Sequence, residues 1–399
     1  MKVGILARDF IQWTGGVDFL GMVLDSLLAV PRAEQAEFHL LIPDLQPRWA
    51  RVKHRARQGL RGLVSGKPAA PKSASPEGAG SDLFSEFRGR VTIHHLENTR
   101  RALVREVREL ELDVILPALH TLGAGFLPPW VGYVYDFQHK YFPEYFTPRD
   151  CLSRDEHFAD LLTSARAVIA TSRETAGDIA KFVPEATARV FALPFAPALN
   201  PEWMEDCPDI PARHGVARPF FLVSNQFWIH KDHATAFEAF RALAARHPEV
   251  SLICTGSTRD ERDPTYFPRL MDKLKSWGLD QRVRVLGLIP KRDQIEIMKN
   301  ACAVLQPTRF EGGPGGGSIY NAVSLDVPAI VSDLPVNREV EGGAVEFFPA
   351  GDAGALCEKM EKRLAAPHVR ASWDSLINRG QSRRAACGAV IWQAIDFVA

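Results

Sequence analysis

The stretch Gln306–Glu339 reads QPTRFEGGPGGGSIYNAVSLDVPAIVSDLPVNRE. An apolar run, Ala303-Val304-Leu305, leads into Thr308-Arg309-Phe310-Glu311, and five glycines follow between Gly312 and Gly317. Ser318 to Ser324 has the pattern of a short helix, and Pro328-Ala329-Ile330-Val331 that of the next buried strand. A glycine loop between a strand and a helix start leaves backbone N–H groups free, with the helix dipole behind them. Gly312, Gly313, Gly315, Gly316, Gly317 and Ser318 are therefore candidate ligands of a phosphate or diphosphate. Glu311 is too negative to serve a phosphate and suits hydroxyl groups of whatever the phosphate carries. A phosphate beside a polyol points to a sugar nucleotide. A plain flexible linker fits less well, because linkers are rarely wedged between two buried apolar runs.

The stretch resembles the donor-binding signature of the retaining glycosyltransferases of family 4, which have the GT-B fold. Glu311, the glycines, Ala322-Val323, Pro328, Ser332 and the segment through Glu339 fit that signature. Two features depart from it: the loop is two residues longer, and Asn321 stands where the family has a second glutamate that holds the nucleotide ribose. Asparagine can still accept a hydrogen bond from a ribose hydroxyl, without charge.

Around this signature the second half reads as an αβ domain. Pro219–Ser224 starts a sheet, followed by Asn225-Gln226-Phe227-Trp228-Ile229-His230-Lys231-Asp232-His233 and a helix through Leu243. The resemblance makes Lys231 the lysine that bridges the donor diphosphate, a task for which an ammonium needs no fixed geometry. Asn225 occupies the region where the family often carries an arginine beside the phosphates. Ser251–Thr255 is a further strand, and so is Val283–Pro290. In the family the latter ends beside the nucleotide base, implying backbone readout through Leu288 and Ile289. Gln294–Ala301 reads as an amphipathic helix, and the chain is helical from Trp373 onward.

The first half opens with a strand at Lys2–Ala7, then Trp13-Thr14-Gly15-Gly16-Val17 and a helix from Phe19 to Leu28. Gly15 and Gly16 need be no more than a tight turn, but strand, Gly-Gly and helix also form a ligand-facing loop in parallel sheets; in the family such a loop faces the donor phosphates and the acceptor. Further strands are read at Phe38–Ile42, Val91–Ile93, Asp113–Pro117, Val131–Tyr135 and Ala167–Ser172, with a helix at Arg100–Leu110 and another running to Phe182. The strand ending at Tyr135 delivers Asp136-Phe137-Gln138-His139 to the crevice side of the sheet, a place for sugar hydroxyls and proton handling. This cluster resembles the family segment that carries a polar residue near the donor's reacting carbon, so Asp136, His139 and Glu311 are the candidate catalytic residues. His120 is a weaker one. Val190–Pro197 and Asn200–Ala217 read as connection between the halves.

A chain of 399 residues suits two domains of roughly 150–200 residues each. Forty-eight cationic and 48 acidic side chains leave no net field to attract nucleic acid. Six cysteines lie far apart without CxxC pairs, which argues against a disulfide framework or a zinc site. MKVGILARDF enters a strand at once, and no apolar run reaches the ~20 residues of a membrane span, so a cytoplasmic protein is expected. One local exception to neutrality is Arg48–Lys72, with eight cations and no acid. It is either a solvated helix face or a contact for anionic lipid headgroups at the inner face of a membrane.

The expected fold is α/β and GT-B: two Rossmann-like domains whose parallel sheets face a central cleft. Residues 1–198 form the acceptor domain, 199–217 the connection and 218–385 the donor domain, with 386–399 packing back on the first. The implied reaction moves a hexose-type sugar from a nucleoside-diphosphate sugar to a glycan or lipid-linked acceptor with retention. No cofactor or metal is expected: without a DxD-type segment, Lys231 and loop amides replace a metal at the diphosphate. The leaving diphosphate can itself take the acceptor's proton. A non-catalytic sugar-nucleotide-binding protein and a sugar-nucleotide epimerase or phosphorylase on the same architecture remain alternatives.

Overall fold

A computed structural model describes residues 1–44, 84–342 and 344–399. The basic segment Arg48–Lys72 lies outside the described residues. The chain forms two parallel sheets. The first contains β1 (Lys2–Leu6), β2 (Glu37–Asp44), β3 (Thr92–Glu97), β4 (Val114–Ala118), β5 (Trp130–Val134), β6 (Ala167–Ala170) and β7 (Arg189–Ala192), in the order β3-β2-β1-β4-β5-β6-β7. The second contains β8 (Phe220–Ser224), β9 (Ser251–Thr255), β10 (Val283–Gly287), β11 (Val304–Gln306), β12 (Ala329–Ser332) and β13 (Val345–Phe348), in the order β10-β9-β8-β11-β12-β13.

Strands covered by helices on both faces must be apolar at every position, not at alternate ones. FFLVS in β8, AVIA in β6 and AIVS in β12 are buried throughout. Successive side chains feed opposite cores. Phe221 and Val223 pack with the His233–Ala244, Tyr266–Ser276 and Ala353–Ala365 helices, whereas Phe220 and Leu222 pack with the Lys291–Lys299 and Gly316–Ser324 helices. In the first sheet, Val3 and Ile5 lie against the Thr14–Leu28 helix and the end of the Trp373–Val398 helix. Ile115, Val134 and Val168 face helices Arg100–Glu109, Pro148–Ser164 and Arg173–Phe182.

Strand order reverses direction between β1 and β4 and again between β8 and β11, and residues beyond the C-terminal ends of such strand pairs surround a crevice. The second reversal decides the site: Asn225 directly follows β8, and Gln306 ends β11.

Three local readings change. Val190 belongs to β7, a short edge strand, and not to the connection. The first helix begins at Thr14, which places Gly15 and Gly16 in its first turn and not in a loop. The signature helix likewise begins at Gly316, with Gly315 left-handed at its N-cap (φ +66°).

Candidate active site

Four residues at the reversal point are joined by side-chain hydrogen bonds. Asn225 Nδ2 donates to Gln306 Oε1 at 2.7 Å, Gln306 Nε2 donates to Glu311 Oε1 at 2.8 Å, and Lys231 Nζ donates to the same oxygen at 2.6 Å. The Lys231 and Glu311 side chains are 13% and 8% exposed, so this is a nearly buried ion pair. Lys231 stands one residue before Asp232, which caps the His233–Ala244 helix through the Thr235 amide. Burial and the Lys231 charge hold the flanking His230 and His233 neutral, pushed down to about 2 and about 3.

Glu311 Oε2 lies against the first turn of the signature helix, 3.0 Å from where a Cβ on Gly316 would stand. Gly316 is also left-handed (φ +65°), so a side chain there would both strain the backbone and crowd the carboxylate. Asn337 Oδ1 accepts the Gly315 N–H at 2.9 Å. The Gly317 and Ser318 amides have no preceding helical turn to donate to, and space opens over Gly317. Ser318 Oγ is buried without a hydrogen-bond partner among the described residues. Asn321 follows one turn later on the same helix face, half-buried. Together these groups put the electropositive start of a helix beside a carboxylate.

Gly312 and Gly313 do something different from what their place in the loop implies. Gly312 O accepts from Ser172 Oγ (3.0 Å) and Thr175 Oγ1 (2.9 Å) of the first domain. A Cβ on Gly312 would stand 2.3 Å from Tyr135 O, and one on Gly313 2.8 Å from Thr171 Cγ2. These two glycines let the loop press against the ends of β5 and β6. Glu339 reinforces the contact, accepting the Arg173 and Glu174 amides at 3.0 and 2.9 Å.

This contact brings Asp136 beside the signature loop, its Cβ 2.8 Å from the Gly312 position just described. Asp136 is not a free carboxylate: Arg154 Nη2 donates to its Oδ1 at 2.6 Å, as does the Gln138 amide at 2.9 Å. His139 departs from its expected role in proton handling. Its ring is 2% exposed, Nδ1 accepts from Arg154 Nε (3.1 Å), and Nε2 faces Asp155 Oδ1 (2.9 Å). Because arginine can only donate, His139 is neutral with its proton on Nε2, and burial lowers its pKa further. Both nitrogens are occupied, so His139 holds Arg154, which holds Asp136. His120 lies on the first sheet's crevice side, 3.2 Å from His157 and 3.9 Å from Asp9.

Gly15 and Gly16 sit under the Trp13 indole; a Cβ on Gly16 would come within 2.2 Å of Phe10 O. Packing explains glycine there. Leu288 is 78% exposed just past β10, and Ile289 is half-buried against the adjoining core. Among the described residues no group of three or more His, Cys, Asp and Glu is arranged to hold a metal ion.

Residues 210–379 match the family model "Glycosyl transferases group 1". That match lies wholly in the second half of the chain. Mannosylfructose-phosphate synthase of Agrobacterium fabrum is 26% identical over 152 residues, 38% of this chain. The matched segment spans 32% of that relative's length. Among solved structures, sucrose-phosphate synthase of Thermosynechococcus elongatus superposes with a TM-score of 0.63 at 15% identity, covering 99% of this chain and 98% of that one. HepE of Anabaena, solved in complex with UDP-glucose, superposes at 0.57 with 17% identity, covering 100% and 96%. The two domains therefore have the GT-B fold, and the Asn225–Gln306–Glu311–Lys231 cluster lies within the residues that match the family model.

Sequence reasoning passed over Gln306, Arg154, Asn337 and Glu339. Gln306 left a signal, a lone polar residue at the end of the apolar run AVLQ. Asn337 and Glu339 fell inside the signature segment without a role of their own, and the groups that all three bind lie elsewhere in the chain.

Proposed function

We propose that the protein is a retaining glycosyltransferase that takes a hexose-type sugar from a nucleoside-diphosphate sugar. One observation carries this reading: the Lys231–Glu311 pair lies beside a helix start whose Gly317 and Ser318 amides have no preceding turn to donate to and whose Ser318 hydroxyl has no partner among the described residues. The distal phosphate would sit on those groups, with the Lys231 ammonium bridging to it, and Glu311 Oε2 would accept a sugar hydroxyl. Leu288 and Ile289 would border the base, and Asn321 a ribose hydroxyl.

Catalysis then consists of stabilising the leaving diphosphate with Lys231 and helix amides, without metal, while the cleft holds the acceptor against the face of the sugar that the diphosphate leaves. Asp136, fixed by Arg154 and close to Gly312, would orient the sugar from the opposite domain. The leaving phosphate oxygen takes the acceptor proton on the same face, which gives retention. The acceptor would be a glycan or lipid-linked saccharide bound on the first domain. The protein would work in the cytoplasm, with Arg48–Lys72 available for an anionic membrane surface. No helix among the described residues is long and apolar enough to cross a membrane.

The test is binding and turnover of UDP-, GDP- and dTDP-sugars with NMR assignment of the product anomer. Binding without turnover over a panel of glycan acceptors would make the protein a sugar-nucleotide receptor. An inverted product removes the same-face mechanism.

A further inference from the structure

We infer that Gln306 is a positioning residue for the Glu311 carboxylate, with its own orientation set by Asn225. This rests on the donor reading above. Glu311, when ionised, offers only acceptors, so the Gln306 group facing it at 2.8 Å must be the amide NH2. That leaves Gln306 Oε1 pointing the other way, where it needs a donor, and Asn225 Nδ2 supplies one at 2.7 Å. Gln306 is fully buried and Asn225 nearly so, so neither amide can turn to water for a substitute partner. The chain of donors has a single consistent direction, from Asn225 through Gln306 to Glu311.

The consequence falls on the carboxylate. Both protein donors, Gln306 and Lys231, converge on Oε1, and Oε2 is left facing the first turn of the signature helix. A carboxylate gripped by one oxygen from two directions cannot rotate, so the free oxygen keeps one bearing. Lys231 alone does not achieve this, because an ammonium on a flexible stem follows the carboxylate wherever it turns. In this reading Asn225 reaches no phosphate at all. It steers the sugar grip from two residues away.

The relay predicts effects on sugar recognition separate from diphosphate recognition. Isothermal titration of the full-length protein with UDP-, GDP- and dTDP-glucose and with the matching bare diphosphates gives the ratio of the two affinities. Wild type is expected to bind at least one sugar nucleotide more tightly than its diphosphate; if it binds none, the donor reading itself fails and the relay with it. Gln306→Leu and Asn225→Asp are each expected to lower that ratio about tenfold or more, while diphosphate affinity stays within about twofold. Asn225→Asp does so with Gln306 intact, since an acceptor at 225 forces the Gln306 amide to flip its carbonyl toward Glu311. The double variant should lose no more than either single one.

Gln306→Glu supplies the readout that mere packing would not move. A second carboxylate repels Glu311 when ionised but donates an O–H to it when protonated, so one carboxyl of the pair titrates higher than usual. The sugar-to-diphosphate ratio of this variant, divided by the wild-type ratio at each pH so that titration of the terminal phosphate cancels, should recover as pH falls from about 8 to about 6. An unchanged ratio in Gln306→Leu or Asn225→Asp, an equal loss of diphosphate binding, or a Gln306→Glu variant without recovery in acid would each overturn the relay.

Discussion

Two helix starts meet near the interdomain contact, and the chain finishes them in opposite ways. At the Arg173–Phe182 helix, Ser172 caps the Thr175 amide and Glu339 arrives from the other domain to take the Arg173 and Glu174 amides. At the Gly316–Ser324 helix, among the described residues only the Gly315 amide has a side-chain acceptor, Asn337, and the Gly317 and Ser318 amides, in the first turn, have no preceding turn to donate to. Both ends carry the same partial positive charge. The first is filled with the protein's own carboxylate and becomes a joint. At the second, the neighbouring Glu311 carboxylate is held by Lys231 and Gln306 instead, and in the proposed function the donor's phosphate takes the amides. In that reading the site depends as much on where Glu311 is held as on the amides of the helix start.

The strongest way to break this comparison is Lys231→Ala. It strips the cation from the open end and strands Glu311 in a nearly buried position. Diphosphate affinity should fall about tenfold or more, and removing one partner of a buried pair should cost roughly 3–5 kcal/mol of folding stability. Calorimetric titration and denaturant melts measure the two. Diphosphate affinity equal to wild type would show that the open end does not take the phosphate. Glu311→Gln is the companion variant: it should depress turnover and leave bare diphosphate binding nearly intact.

Glu339→Gln attacks the filled end. It keeps the shape and removes the charge, so the two domains should part more readily at a stability cost of about 1 kcal/mol. Small-angle scattering should show a larger radius of gyration, with diphosphate affinity unchanged because the open end is untouched. A scattering profile identical to wild type would reduce Glu339 to an ordinary helix cap.

Ser318→Ala sharpens the contrast at smaller scale. A buried hydroxyl without a partner contributes nothing to the empty protein, so stability should hold or rise slightly. Diphosphate binding should weaken by about 0.5–1.5 kcal/mol. Loss of stability without loss of binding would mean the hydroxyl serves the fold. The smallest expected effect is that of excess chelator: turnover should stay as it was, because Lys231 and the amides supply the positive charge. A collapse reversed by magnesium or manganese would replace that account.

Much of this architecture is legible in the sequence because strands buried on both faces leave continuous apolar runs. FFLVS, SLICT and AIVS each read as strands at once. The strand–glycine–helix order around Glu311 is likewise local. What the sequence hides is the direction in which a local motif faces. Gly312 and Gly317 look equivalent, yet one is pressed against Tyr135 and Ser172, roughly 140 and more residues earlier in the chain, and the other is open. His139 has the position of a reactive residue, but Arg154 and Asp155 on the neighbouring helix occupy both its nitrogens. β7 escaped because RVFA is short, lies at a sheet edge and runs straight into a proline-containing segment.

The Trp373–Val398 helix starts with Leu376 in the core of the second domain and ends with Ile391, Trp392 and Val398 in the core of the first. Where it passes between them, Gly380 lies against Ala198, on the strand of chain that makes the other crossing; a Cβ there would stand 3.0 Å from Ala198 Cα. The two stretches of chain that cross between the domains are thus packed against each other at this glycine, so a larger residue at 380 would push both crossings apart and disturb the seating of both domains at once.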